Sequence, residues 1–444
     1  MQIVRQNPWL IVALLVPVAL LNYLDRQMLA AMRASMVSDL PDMAAREQWG
    51  IVLGSFKWVY AALSPVGGYL ADRLSRRHVI AGSLLVWSAV TWATGHVQSF
   101  EQLVATRALM GISEAFYFPA ALSLIADWHL GETRSRAVGL HQMGIYAGII
   151  LGGFSGYAAE SSALGWRWMF VACGVVGVLY AVPLFALLCN PLQSSAPLSP
   201  VLRGEGLGVR GEAVSDSAPR PNPFPGVPGR GDISSLREGK SLSPLGDVIE
   251  LLTNPNFLLM LLYFTLPALA GWVVKDWMPD ILREKFSLGQ GQAGVNAVVY
   301  VQLASLVGVG IGGYLADKWM QRTVRGRIFV SALGMSFFLP ALFGVGNADA
   351  LLVAVAFLVL FGLGWGFFDC NNMPILCQIV RPELRATGYG LINLVSISCG
   401  GLADWAFGAL RDRHVPLNII FGVFAGTALL SIVIVLLIRP KEKV

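Results

Sequence analysis

The stretch Gly67-Gly68-Tyr69-Leu70-Ala71-Asp72-Arg73 returns almost unchanged as Gly312-Gly313-Tyr314-Leu315-Ala316-Asp317-Lys318. Each copy closes a long apolar run, and basic residues follow both: Arg76 and Arg77 after the first, Arg322, Arg325 and Arg327 after the second. A repeat at matching places in the hydropathy pattern indicates duplication of a whole unit. The apolar runs on either side make that unit six helices, giving an N-terminal half at 1–190 and a C-terminal half at 246–444, joined by 191–245.

The composition requires a membrane. The chain has 444 residues, 55% hydrophobic and 13% charged, with a mean hydropathy of +0.62, too apolar for a water-facing surface. About 20 apolar residues cross a hydrocarbon core of about 30 Å. The pattern predicts twelve transmembrane helices in an all-α fold, near 8–30, 48–71, 79–97, 101–127, 136–159, 166–189, 256–279, 292–316, 327–346, 349–380, 386–410 and 417–438. The first carries Asp25 and Arg26 and no small-residue cleavage site, so it reads as a retained span rather than a signal peptide. An even number of spans puts both termini on one side, and the loops there hold most of the Lys and Arg, which predicts cytoplasmic termini. The net charge of +5 follows from that bias, not from a nucleic-acid footprint.

The segment 191–245 is rich in Pro, Gly and Ser, as in Pro219-Arg220-Pro221-Asn222-Pro223-Phe224-Pro225. It cannot bury enough apolar surface to offset its ordering entropy and is expected to be a disordered cytoplasmic linker. The five cysteines fall in or at the end of apolar runs without metal-ligand spacing, so they read as packing residues, with no metal or cofactor expected. There is no nucleophile elbow and no phosphate-binding glycine loop, and the soluble segments are too short for a signalling domain. Neither an enzyme nor a receptor is indicated.

The repeated string resembles the cytoplasmic signature of the major facilitator superfamily, and the resemblance covers everything but the linker. An Asp at a helix C-terminus is disfavoured by the dipole of its own helix, so Asp72 and Asp317 need a partner. In that fold the partner is a helix N-terminus of the opposite half, near Ala386 for Asp72 and Ser135 for Asp317. The expectation is two cytoplasmic latches holding an outward-open state, formed by Asp72, Arg73, Arg76, Arg77, Asp317, Lys318, Arg136 and Arg385.

Charges within the spans cost about 2.5 to 3.5 kcal/mol each at mid-membrane, so each implies a partner, a cavity or a function. The first helix contains Asn22-Tyr23-Leu24-Asp25-Arg26, and the fourth contains Arg107 and Glu114, seven residues apart and so on one face. Two acids and two bases can therefore converge in the N-terminal half. This constellation, with Phe118-Pro119, is similar to the anion:cation symporters, which include sugar-acid permeases and sialin. The resemblance implies that Asp25 and Glu114 are protonation sites, that Arg107 is their charge partner, and that Arg26 faces a substrate anion.

Lys57 has no acid within four residues on its helix, so its counter-charge comes from another helix or, in the favoured reading, from a ligand. Lys275 has Asp276 beside it and could snorkel to the outer surface. Trp365, Asp369 and Asn372 share one face, as do Tyr389, Asn393 and Ser396, two hydrogen-bonding stripes suited to a polyhydroxylated ligand. Gln142 and Tyr146 share a face of the fifth helix, where His141 reads as packed. The second half thus reads as offering mainly neutral polar stripes.

The resulting expectation is a monomeric, proton-coupled symporter of a small sugar-acid anion in a bacterial inner membrane, with Arg26, Lys57, Asn22, Tyr23, Gln142, Tyr146, Lys275, Asp369, Asn372 and Asn393 lining the substrate site. Sodium is the alternative coupling ion. A Spinster-like lysolipid carrier is the alternative function, since Asn22-Tyr23-Leu24-Asp25-Arg26 and Arg134-Ser135-Arg136 also resemble that family.

Overall fold

A computed structural model describes residues 7–129, 133–189, 244–381 and 384–440, without the side chains of 68–73, 134–135, 244–245 and 386. The linker and the side chains of Asp72 and Arg73 therefore lie outside the described residues.

Long helices occur at each of the twelve expected places. In the N-terminal half these are α1 (Pro8–Ala31), α2 (Arg46–Arg73), α3 (Arg76–Thr94), α4 (Phe100–Trp128), α5 (Arg134–Gly153) and α6 (Gly165–Leu187). In the C-terminal half they are α7 (Pro255–Phe286), α8 (Gln290–Met320), α9 (Gly326–Asn347), α10 (Leu351–Ile379), α11 (Arg385–Asp412) and α12 (Leu417–Leu437). Short helices at Arg33–Asp39, Ser155–Glu160 and Pro244–Thr253 extend the ends. Ten of the long helices are apolar enough to cross a membrane by length and composition, α2 and α3 falling outside that set. The shortfall has a local cause in α2, which carries Lys57 and a charged first turn.

Each half packs around its own small residues. Gly144, Gly148 and Gly152 of α5 lie on Val16, Leu20 and Leu24 of α1, where a Cβ at Gly144 would stand 2.7 Å from the Val16 carbonyl oxygen. Gly308 and Gly312 of α8 lie on Leu363 and Phe367 of α10 in the same way. Small residues let helices approach without a hydrophobic driving force, which lipid does not supply. Prolines at 65, 119, 267, 279 and 374 sit inside helices and are sites for bends. Leu179, Val182, Leu352 and Val423, among the most exposed apolar side chains, mark lipid-facing surface on α6, α10 and α12.

Among the described residues the halves meet at the end away from the termini. Gly50 and Gly54 of α2 press on α11, a Cβ at Gly50 standing 2.6 Å from the Asp404 carbonyl oxygen. Gly156 presses on the first turn of α8, where a Cβ would stand 2.5 Å from the Gln290 carbonyl carbon. Every cross-half hydrogen bond or ion pair among the described residues lies toward the face away from the termini or at mid-depth. At the termini-bearing face the described pairs stay within a half: Arg76 with Asp127, Arg327 with Asp317 at 3.5 Å, and Arg381 with Glu250 at 2.8 Å. Asp317 is thus turned to α9 of its own half instead of to the start of α5. The described cross-half ties seal the other face.

Candidate functional site: a charged recess between the halves

The four ionic residues of α1 and α4 do converge, in crossed pairs. Arg26 donates through Nε and Nη2 to Glu114, the Nε bond at 2.8 Å. Arg107 meets Asp25 at 3.3 Å and donates to the Thr94 hydroxyl at 2.9 Å, while the Thr91 hydroxyl donates to the other Asp25 oxygen. The pairs differ in access. Asp25 and Arg107 side chains are 3% and 2% exposed, whereas Arg26 keeps 15% beside a fully buried Glu114. The Arg26 guanidinium lies against the rings of Phe56, Tyr23 and Tyr60 at 4.5, 4.9 and 5.2 Å, an aromatic sleeve that holds a cation in place of water. The buried Asn22 amide lies beside the Glu114 carboxylate as its hydrogen-bonding neighbour.

The reading of Lys57 needs correcting. Its ammonium is bonded to Asp276 of α7 and Asp404 of α11, both from the opposite half, and it sits 4.3 Å from the Trp272 ring. The counter-charge is protein, not ligand. Lys275 also departs from expectation. It points inward over Tyr23 and Trp272, at 5.0 and 5.2 Å, with no carboxylate in ion-pair range among the described residues. Arg26, Lys57, Arg107, Lys275 and Asp276 line one recess together with Leu29, Val52, Leu53, Phe56, Met110 and Trp272.

The neutral second wall needs the same correction. Asp276, Asp280 and Asp404 are buried charges of that half, and Asp280 binds Arg33 at 2.9 Å across the seal. The expected stripes divide. Trp365 packs into the half, its ring parallel to Phe338 and against Gly271. Asp369 is solvent-accessible though enclosed by protein, with Tyr23, Tyr146 and Tyr389 as electrostatic neighbours, so it faces the central space. Asn372 is buried with both amide atoms unpartnered, and Asn393 lies beside Tyr389. Gln142 lies beside Tyr146, while His141 is buried against the Tyr117 hydroxyl at 2.9 Å, packed as expected. Arg385 caps its own half at the Cys377 carbonyl, 3.0 Å away, and Arg136 is exposed.

Asp404 escapes the sequence reading, as do two acids at the seal. Asp412, at the end of α11, accepts from the backbone N–H groups of Arg46 and Glu47 that open α2, at 3.0 and 2.8 Å. Glu160 accepts from those of Gln290 and Gly291 that open α8. These are equivalent places in the two halves, with donor and acceptor exchanged.

Two six-helix halves meeting at a charged recess sealed from one side have counterparts among known proteins. The Major Facilitator Superfamily pattern matches residues 15–403. The chain belongs to that superfamily. It is therefore a multi-pass membrane transporter. It is 27% identical to Protein spinster homolog 1 of Bos taurus, over 91% of this chain and 73% of that protein. It is also 27% identical to an MFS-type efflux pump of Mycolicibacterium smegmatis, over 92% of this chain and 85% of the pump. Its fold is like that of a bacterial homologue of the human lysosomal transporter Spinster in an inward-facing, unoccupied conformation, with a TM-score of 0.71 at 18% identity, covering 97% of this chain and 95% of that one.

Proposed function

We propose that this major facilitator carries an amphiphilic organic anion across a bacterial inner membrane in exchange for, or together with, protons, through twelve spans with both termini in the cytoplasm. The observation that carries the proposal is the Arg26–Glu114 pair, with its cation reachable from the recess and its carboxylate not. An anion that engages Arg26 withdraws the charge that keeps Glu114 ionised, and Glu114 then favours a proton. Proton and anion occupancy become linked through one salt bridge, and Asp25 with Arg107 forms a second, buried pair between the same two helices. Lys275, held over two rings without a carboxylate, supplies a second contact for the anion.

The remainder of the recess favours an apolar body over a hydroxylated one. Leu29, Val52, Leu53, Phe56 and Met110 offer nothing to hydroxyl groups, and an unmatched buried hydroxyl costs about 1 to 3 kcal/mol. A single-chain lipid anion suits this lining, and the Spinster-type relatives support it. The sugar-acid reading retains one specific support, the unpartnered Asn372 amide with Asp369 and Asn393 on the other wall. A thermal-shift panel of lysophospholipids and sugar acids on purified protein separates the two, followed by flux in vesicles with proton and sodium gradients imposed separately. Stabilisation by lysolipids and flux driven by the proton gradient are expected. Flux that responds only to sodium, or stabilisation by neutral ligands alone, overturns the proposal.

A further inference from the structure

Lys57 is the one described N-terminal-half charge that enters the carboxylate cluster of α7 and α11, and its place there sets a charge balance. Four ionic side chains share this buried region: Asp276 and Asp404, both bonded to Lys57, and Lys275 next along α7, which turns over Tyr23 and Trp272 without entering ion-pair range. With Lys57 in place the sum is zero. Three of the four, Lys275, Asp276 and Asp404, belong to the C-terminal half and move with it. If the seal opens by parting the halves, Lys57 leaves with α2, and a buried group of net charge −1 remains. Burial makes an uncompensated carboxylate untenable, so it takes a proton. Asp404 sits where a proton is needed most: its side chain is fully buried, and besides Lys57 it has the neutral Trp277 indole N–H as a neighbour.

From this geometry we infer that Asp276 and Asp404 form a second proton-binding site, in the C-terminal half, in which Lys57 and a proton are alternative occupants. Sealing inserts the lysine and expels the proton into the recess, which Asp276 lines. Opening withdraws the lysine and admits a proton from the other face. The remaining charges around the cluster do not upset the balance. Arg26 and Arg107 share the recess but are paired with Glu114 and Asp25, and Arg33 with Asp280 and Arg283 lies one turn farther along α7. Tyr23 and Tyr60 are neutral hydroxyls on the recess side.

This site is independent of the Asp25 and Glu114 coupling proposed above, resting only on alternation between a sealed and an open outer face, and the test keeps the two apart. Ala31 is 3% exposed and faces Gly294 across the seal, so a thiol there reacts with a maleimide only when the seal opens. The experiment uses substrate-free, detergent-solubilised full-length protein with the five native cysteines replaced by alanine and Ala31→Cys added. Opening binds a proton, so the open fraction rises as pH falls, by up to about tenfold per pH unit for one proton. In an Asp25→Asn, Glu114→Gln background this acid dependence persists. Adding Asp404→Asn, Asp276→Asn or Lys57→Gln flattens it, the first two by mimicking the protonated acid and the last by leaving the proton bound in both states. Three substitutions at one site guard against any one failing to fold, and a thiol on the exposed Met143 surface reports intact protein. Loss of acid dependence in the Asp25→Asn, Glu114→Gln background, or its survival in the folded triad variants, overturns the inference.

Discussion

Charges that pair within one half and charges that pair across the halves are built from the same residue types but do different work. Arg26 with Glu114 and Arg107 with Asp25 join α1 to α4 inside the N-terminal half. Lys57 with Asp276 and Asp404, and Arg33 with Asp280, tie that half to the other. A pair inside a rigid half survives the transport cycle unless a ligand or proton intervenes, so it can respond to cargo. A pair across the halves breaks in every cycle, so its strength sets the balance between states. Among the described residues the halves close on glycine seams at the face away from the termini, so all the cross-half ties described here act in the same direction.

The largest effect falls on the pairs within the half. Asp25→Asn or Glu114→Gln removes the proton acceptor without changing shape, and uphill flux under an imposed pH gradient is expected to drop to the level of empty vesicles. Exchange down a substrate gradient survives in at least one variant. Undiminished uphill flux would place the coupling wholly elsewhere and erase the distinction.

Next comes the Arg33–Asp280 tie. Removing one member of a buried pair costs about 3 to 5 kcal/mol when the other is left uncompensated, and Arg283, 3.5 Å from Asp280, offsets part of that here. Here the cost falls on the sealed state, so Arg33→Gln should raise Ala31→Cys labelling at least about tenfold, since 1.4 kcal/mol is a tenfold shift. Arg33→Met combined with Asp280→Leu restores much of the sealed population, because the two apolar groups replace the pair.

Glycine substitutions separate the two classes directly. Gly50→Ala overpacks the α2–α11 seam, and Gly148→Ala overpacks α1–α5 inside the half; each costs roughly 1 to 3 kcal/mol. The first should raise labelling with little change in melting temperature. The second should lower the melting temperature and leave labelling alone. The reverse pattern would show that the seam is permanent.

How much of this is legible in the sequence follows the same division. The repeat at Gly67 and Gly312, the helix positions and the convergence of Asp25, Arg26, Arg107 and Glu114 rest on spacing within a helix or on duplication, both local. The crossing of the two pairs is set by how α1 is rotated against α4 and is not local. Asp404 hides in Leu402-Ala403-Asp404-Trp405, where the insertion-cost argument applied to Lys57 would have exposed it. That argument names a residue but not its partner, since Lys57 and Asp404 are 347 positions apart. Lys275 has an acid as its sequence neighbour, yet successive helical side chains diverge, and only Asp276 turns to Lys57. Asp412 and Glu160 stand at helix ends, where acids are ordinary; what makes them latches is the helix start each meets in the other half.

Those two latches give the smallest effects and the sharpest test of symmetry. A side chain accepting from a helix N-terminus contributes about 0.5 to 2 kcal/mol, so Asp412→Asn and Glu160→Gln should each increase Ala31→Cys labelling between about twofold and thirtyfold. Asparagine and glutamine still accept from N–H groups, which puts both at the low end, with Asp412→Ala and Glu160→Ala larger. Asp412 is half-buried and Glu160 exposed; salt screens the exposed charge more, so raising ionic strength should weaken the Glu160 contribution first. The two lie at different contacts, α11 on α2 and the short helix Ser155–Glu160 on α8, and share no partner. Distant sites without shared contacts add within about 0.3 to 0.5 kcal/mol, so the double substitution should give the product of the two single ratios. A double variant no more open than either single one would mean that the halves part at one edge first, and that the exchanged geometry of the two latches is not matched by equal roles.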